Sequence, residues 1–304
     1  MYQISFQKQT DHQFNSCTIS NSRGTEAVIH PMAGASLQQL YFKNKTIINN
    51  IVTTEGNESY LNSSCSAILF PFANRIKDGQ YTYNSQRHQL ICNETSRGHA
   101  MHGLVCKNTF EMVNLTNSEN SASVSFCYKE IESSNGFPFP YKITLTYTLN
   151  DNNFKLDINI QNIGLKPFPF SLGWHPYFYS NDLDQSELYM QSEEKIIADD
   201  RMIPVETVNE TFPNPLSLKN QQFDDGFILK NSNISYKTPE YQINIRTEHD
   251  NTTQYIQLYI PSHRQSIAIE PMTAAADCYN NGLGTKELQP NEHYKISWVV
   301  EEVL

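Results

Sequence analysis

Tyr141-Lys142-Ile143-Thr144-Leu145-Thr146-Tyr147-Thr148-Leu149, then Asn150-Asp151-Asn152-Asn153, then Phe154-Lys155-Leu156-Asp157-Ile158-Asn159-Ile160-Gln161-Asn162 is the segment that sets the fold class. Apolar side chains take every second position on both sides of a short polar break. Successive side chains of a strand point to opposite faces, so a period of two describes two half-buried strands. Asn and Asp tolerate turn backbones and hydrogen-bond to them locally, which makes the break a turn. The same alternation recurs at residues 122–128, 241–246, 255–260, 266–269 and 294–301. Residues 80–91 read as a hairpin turning at Asn84-Ser85.

Helical periodicity is almost absent. Many short strands separated by Asn, Asp, Gly and Ser clusters predict an all-β, mostly antiparallel fold, a sandwich or barrel, with few short helices. Residues 182–220 carry no clear period and are expected to leave the sheet as a long excursion with a short helix. No linker, composition step or internal repeat divides the chain, so residues 1–304 are expected to form one domain.

A chain of 304 residues can bury a sizeable core, and its 16 Phe and 17 Tyr supply much of the burial. The net charge of −10, from 32 acidic and 22 basic residues, argues against nucleic-acid and anionic-membrane partners, which require clustered Lys and Arg. No stretch approaches the ~20 apolar residues of a membrane span, and Met1 to Lys8 form no apolar leader. Cys17, Cys65, Cys92, Cys106, Cys127 and Cys278 show no CxxC spacing. They read as free thiols of a reducing compartment, and a cytoplasmic protein is expected. Asn-x-Ser/Thr triplets such as Asn44-Lys45-Thr46 follow from the abundance of Asn.

No P-loop, dinucleotide fingerprint, HExxH or GxSxG motif is present, which removes several large enzyme classes. Four clusters set polar residues in apolar or Pro-rich surroundings. In Leu69-Phe70-Pro71-Phe72-Ala73-Asn74-Arg75-Ile76, Arg75 presents a planar fork either to a ligand or to a core carboxylate. In Gly98-His99-Ala100-Met101-His102-Gly103, His102 is expected at a loop-to-strand junction. His99 and His102 point apart on an extended segment and have no third ligand nearby, so no metal site is expected.

The third cluster is Gly173-Trp174-His175-Pro176-Tyr177-Phe178. Pro176 restricts His175 to extended backbone, and the aromatic setting desolvates the imidazole. Such a histidine is either a satisfied core residue or a general acid–base. The fourth is Ile267-Ala268-Ile269-Glu270-Pro271-Met272-Thr273. A carboxylate ending a buried strand is costly unless it reaches water, is paired or does chemistry. Phe223-Asp224-Asp225-Gly226 reads as a turn in which one Asp can accept hydrogen bonds.

In their order along the chain these segments resemble the aldose 1-epimerase (galactose mutarotase-like) family. Ile29-His30-Pro31-Met32-Ala33-Gly34 is similar to the family's opening strand and turn. Asn74-Arg75-Ile76 and Met101-His102-Gly103-Leu104 are similar to its substrate-contacting segments. His175-Pro176-Tyr177-Phe178 and Glu270-Pro271-Met272-Thr273 match the segments carrying its catalytic pair. Leu288-Gln289-Pro290-Asn291-Glu292 resembles its closing motif, with Asn for Gly.

The resemblance implies a large β-sandwich (a supersandwich) and interconversion of the α and β anomers of a free aldose without cofactor or metal. It makes His175 and Glu270 catalytic, with Arg75, His102, Asp224 and Asn74 binding the sugar. Asp225 stays open as the alternative to Asp224. A hexose-6-phosphate 1-epimerase is the nearest competing reading, with Arg97 and Lys107 as the nearby cations. A non-catalytic carbohydrate-binding protein would be expected to lack the acid–base pair. A glycosidase normally needs a second catalytic carboxylate. The expected state is a monomer or homodimer.

Overall fold

The strands Tyr141–Asn150 and Asn153–Asn162 form the expected hairpin, in antiparallel register from Tyr141↔Asn162 to Leu149↔Phe154. Their side chains alternate between buried and half-buried along both strands. The computed structural model describes residues 1–9, 15–50, 64–132, 136–250 and 254–303. Within them 57% of residues are strand and 4% helix, and every registered strand pair is antiparallel.

The hairpin is flanked on one side by Ser121–Glu130 and then Glu111–Asn117. On the other side come His293–Glu302, Gln242–Glu248 and the long strand Asp224–Lys237. Asp224–Lys237 changes partners along its length. Its C-terminal part pairs with Gln242–Glu248, and its N-terminal part with Gln254–Tyr259. From Gln254–Tyr259 the order passes through Ser266–Met272 to Gly173–Trp174 and Tyr177–Tyr179. It continues through Lys45–Asn49, Ser36–Phe42, Glu26–His30, Ser16–Asn21 and Tyr2–Gln7.

The last strand returns to the first edge, where the Tyr2 amide donates to the Ser118 carbonyl. Between the two layers Trp174 stacks on Trp298 at 6.2 Å and on Phe154 at 6.0 Å. A continuous apolar core runs from Tyr2 to Val300. Each fully buried Leu, Ile or Phe in it stabilises the fold by about 1.5–3 kcal/mol. The architecture is the large antiparallel sandwich that the family resemblance implies, and one of the two classes, sandwich or barrel, that the alternation allows.

The 80–91 hairpin is also as expected. Gln80–Tyr83 pairs with Gln86–Gln89, and Asn84 and Ser85 hold φ of 47° and 61° at the turn. Residues 182–220 depart from expectation. They contain the short 3₁₀ turn Leu183–Gln185, but also the twelve-residue strand Glu187–Ala198, which pairs with both Pro204–Asn209 and Asp224–Lys237. Its register against Asp224–Lys237 shifts between Met190 and Ser192 and again between Ser192 and Glu194. Its buried residues Leu188, Met190, Ser192 and Ile196 keep to one side of the strand across both shifts, but Ser192 and Glu194 put polar side chains into that series, which hides the period of two in the sequence.

None of the six cysteines forms a disulfide. Among the described residues no helix is long and apolar enough to cross a membrane.

Candidate active site

Ser266-Ile267-Ala268-Ile269-Glu270 places its isoleucines in the core and its small or polar residues on the opposite face. Three neighbouring strands do the same, and register stacks the polar alternates into rows. Gly173 pairs with Met272 and Tyr177 with Ala268, an unbroken register that sets His175 across from Glu270. Glu270 in turn pairs with Gln257, and Gln257 with Gly226. One step of two residues along the strands come Tyr177, Ala268, Tyr259 and Asp224.

Pro176 keeps His175 from joining the ladder as an ordinary strand residue. Its backbone bonds instead to the 66–67 segment, donating to Ala67 O and accepting from Ser66 N. His175 Nε2 lies 3.5 Å from Glu270 Oε1, and the imidazole stacks on Tyr177 with ring centres 4.9 Å apart.

The opposite wall comes from irregular chain. Arg75–Ile76 pairs with Ala100–Met101, which brings Asn74, Arg75 and His102 together. The His102 amide donates to Asn74 O at 2.8 Å. Asn74 and His102 both hold left-handed backbone, φ 55° and 65°, a strained geometry retained where the surroundings impose it. His102 follows the short strand rather than preceding one, so the expected loop-to-strand junction is a strand-to-loop exit. The ring of His102 meets that of His175 at 5.1 Å.

Gly103 lets this wall close. Its φ is 72°, and a Cβ there would sit 2.4 Å from the Phe70 carbonyl oxygen. Gly103→Ala is therefore expected to lower stability by about 2–4 kcal/mol. Urea unfolding of the variant, with the midpoint shifted well below the wild type, would show it.

All six residues singled out from the sequence line one cavity of about 1010 Å³: Asn74, Arg75, His102, His175, Asp224 and Glu270. Asp225, the alternative, turns away by strand alternation and pairs with Lys195 Nζ at 2.9 Å. Arg75 presents its fork to a core carboxylate. Its Nε and Nη2 donate to Glu94 at 2.9 Å each, and Nη1 donates to Asn74 Oδ1 at 3.1 Å while the residue borders the cavity. Arg97 also donates to Glu94. His99 lies apart from the pair, its Nδ1 accepting from the Asp78 amide and its Nε2 against Arg201 O. Among the described residues no three His, Cys, Asp or Glu side chains are arranged to hold a metal.

Burial dominates the electrostatics. Glu270 is 2% exposed, and the loss of water, reinforced by the nearby Asp224 charge, holds its carboxyl well above the usual range. Burial, with His102 beside it, holds His175 well below the usual imidazole value. Burial and Arg75 push His102 down to about 3. Asp224 opens to the cavity, where its crowded setting raises its carboxyl, offset in part by Arg75 and by a hydrogen bond from Gln257 Nε2 at 2.9 Å. Among the described residues, three buried polar atoms of this cavity's side chains lack protein partners: His102 Nδ1, His175 Nδ1 and Glu270 Oε2. Unsatisfied buried groups are rare, and a cluster of them marks a place where a polar ligand completes the bonding.

Glu94, Gln257 and Tyr259 belong to this site but are absent from the sequence-based set. Gln257 sits on the polar side of an alternating segment, a signal shared with many surface residues. Glu94 lies in irregular chain and carries no local signal.

The family profile described as Aldose 1-epimerase matches residues 15–300. The chain is 24% identical to YihR of Escherichia coli K12 over 291 residues, which covers 92% of this chain and 91% of that protein. It is 26% identical to the aldose 1-epimerase of Streptococcus thermophilus over 219 residues, 64% of this chain and 62% of that one. A galactose mutarotase-like protein from Clostridium acetobutylicum shares the fold with a TM-score of 0.86 at 18% identity, over 99% of this chain and 98% of the other. Galactose 1-epimerase from Lactobacillus acidophilus gives 0.79 at 17% identity, over 100% and 98%. The family match spans the segments that supply both walls of the cavity, and the chain belongs to the aldose 1-epimerase family.

Proposed function

We propose that the protein is an aldose 1-epimerase that interconverts the α and β anomers of a free sugar, with His175 and Glu270 as its acid–base pair. The observation that carries this reading is the opposition of two buried titratable groups 3.5 Å apart in one cavity, each with a further polar atom that lacks a partner among the described residues. Glu270 as carboxylate takes the proton of the C1 hydroxyl while protonated His175 gives one to the ring oxygen. The C1–O5 bond breaks, and the electrons on O1 form the aldehyde. Rotation about C1–C2 presents the other face, and closure returns both protons. Arg75 and His102 donate to sugar oxygens, Asp224 accepts from hydroxyls, and Asn74 supports the same wall.

The electrostatics suit this cycle. Each ring opening turns the charged pair into neutral Glu270 and neutral His175, the state that burial favours. Binding of the closed sugar must stabilise the charged pair, while the open aldehyde stage matches the cavity's own preference. One proton is shared throughout.

This predicts a broad pH–rate plateau. Deprotonating the pair requires pH above the raised Glu270 value, and adding a second proton requires pH below the depressed His175 value. kcat/KM is expected to stay flat through neutrality and to fall only in distinctly acid and alkaline solution. A midpoint at the ordinary histidine value would contradict it.

Anomer-exchange NMR against glucose, galactose, xylose, arabinose and hexose 6-phosphates tests the activity. Exchange of a free aldose is expected. Exchange confined to the phosphates, or binding without exchange, would overturn the proposal. Arg97 reaches the cavity, but its guanidinium shares Glu94 with Arg75, which leaves little positive charge for a phosphate. Six cysteines without a disulfide suit a cytoplasmic enzyme.

A further inference from the structure

Of the two histidines in the 98–103 segment, His99 stays out of the cavity, yet it is fully buried and joins three stretches of chain. Its Nδ1 accepts from the Asp78 amide at 3.0 Å, so its proton sits on Nε2, which donates to Arg201 O at 3.2 Å. Arg201 returns the contact. Its Nε and Nη2 donate to the Arg97 carbonyl at 3.2 and 2.8 Å, and Nη2 also donates to Asp78 Oδ1.

Arg201 sits on a tight turn. The Met202 amide donates to Asp199 O, and Asp199 Oδ1 accepts from the amides of Arg201 and Ile203. The turn is the tip of the hairpin formed by Glu187–Ala198 and Pro204–Asn209. The base of that hairpin belongs to the main sheet, where Ile196 pairs with Gly226, two residues along the strand from Asp224. At the other end the contact reaches Arg75, because Arg97 and Arg75 share the Glu94 carboxylate and the Gly98 amide closes the loop onto Glu94 O.

The hairpin therefore spans the two walls of the cavity, from the strand of Asp224 to the irregular chain of Arg75 and His102. A separate cavity of about 220 Å³ lies between them, lined by Ala198, Met202 and Pro204 on the hairpin and by Asn74 and Arg75 on the wall. Packing leaves that gap unfilled, so the bonds of Arg201 and His99 tie the hairpin to the wall there. The planar guanidinium fixes direction as well as distance. The strands of His175 and Glu270 pair with each other and with Gln254–Tyr259, not with the hairpin.

We infer that Arg201 is a positioning residue for the sugar: through the Arg97 carbonyl and Asp78 it fixes the separation of the Arg75–His102 wall from Asp224. It sets the affinity of the site without touching the substrate. The inference rests on the 1-epimerase reading and adds to it a residue outside the cavity.

The test is anomer-exchange NMR of the full chain with glucose and galactose over a range of concentrations, which resolves kcat from KM. Arg201→Ala is expected to raise KM about three- to tenfold and to leave kcat within about twofold of wild type, the signature of binding lost equally from ground and transition states. Arg201→Lys keeps a donor but not the fork that serves both acceptors, and its KM should fall between the two. Lys230→Ala removes an exposed ion pair to Glu193 on the same hairpin that does not reach the wall, and its KM should match wild type. The Arg201–Asp78 pair is itself half exposed, so the urea midpoints of all three variants should stay near wild type. An unchanged KM in Arg201→Ala, a larger fall in kcat, or an equal rise in KM in Lys230→Ala overturns the inference and leaves the 1-epimerase reading standing. A midpoint for Arg201→Ala far below wild type assigns the residue to the fold instead and also overturns it. Failure of every sugar to exchange with the wild type overturns both.

Discussion

Glu270→Gln is expected to slow anomer exchange by about 10²–10⁴-fold, the usual contribution of one general acid–base group. The amide keeps the size of the side chain and its place opposite His175, but it cannot take up the C1 proton. Stability should stay the same or rise, because the variant no longer places an ionisable carboxyl in a site that is 2% exposed. His175→Asn is expected to cause a loss of the same order for want of a proton at the ring oxygen. The two groups act on one proton inventory, so the double variant should be little slower than the worse single one. Saturation-transfer NMR measures the rates, and urea unfolding confirms that the fold persists. Near-normal exchange in either single variant would remove the acid–base assignment.

Glu94→Ala is expected to lower stability by about 3–5 kcal/mol, because it strips a buried ion pair of one partner. Arg75 is 8% exposed and would keep its charge with two donors unmet, beside a second guanidinium on Arg97. The pH dependence follows. Burial pushes the Glu94 carboxyl up, but Arg75 and Arg97 more than reverse this and hold it below its ordinary value. Its contribution is therefore fully present above the ordinary glutamate value of about 4.3 and is lost as pH falls through the folded value. Urea titrations at neutral pH should separate wild type from variant widely, and the gap should narrow in acid. A gap below about 1 kcal/mol at neutral pH would mean that the pair behaves as an exposed one.

The site was unevenly legible. His175 and Glu270 stood out because each combines a titratable group with a following proline and an apolar strand, a conflict visible within a few residues. Asn74, Arg75 and His102 were marked by polar breaks in apolar runs. Asp224 was not separable from Asp225 by composition, since neighbouring strand residues are chemically alike and differ only in the face they occupy. Glu94 carried no local sign at all. Its role exists only because the chain brings it to Arg75 across 19 residues.

The period of two, the turns and the all-β class, a sandwich or barrel, were determined by sequence alone. Alternation is imposed by the covalent geometry of each strand and needs no distant partner. Tertiary structure decided the rest: the register that sets His175 across from Glu270, the face given to Asp224, and the strand Glu187–Ala198, whose inner side carries Ser192 and Glu194 among its apolar residues. Register and bulges answer to packing between segments far apart in the chain, where a one-residue slip would move every side chain to the opposite face.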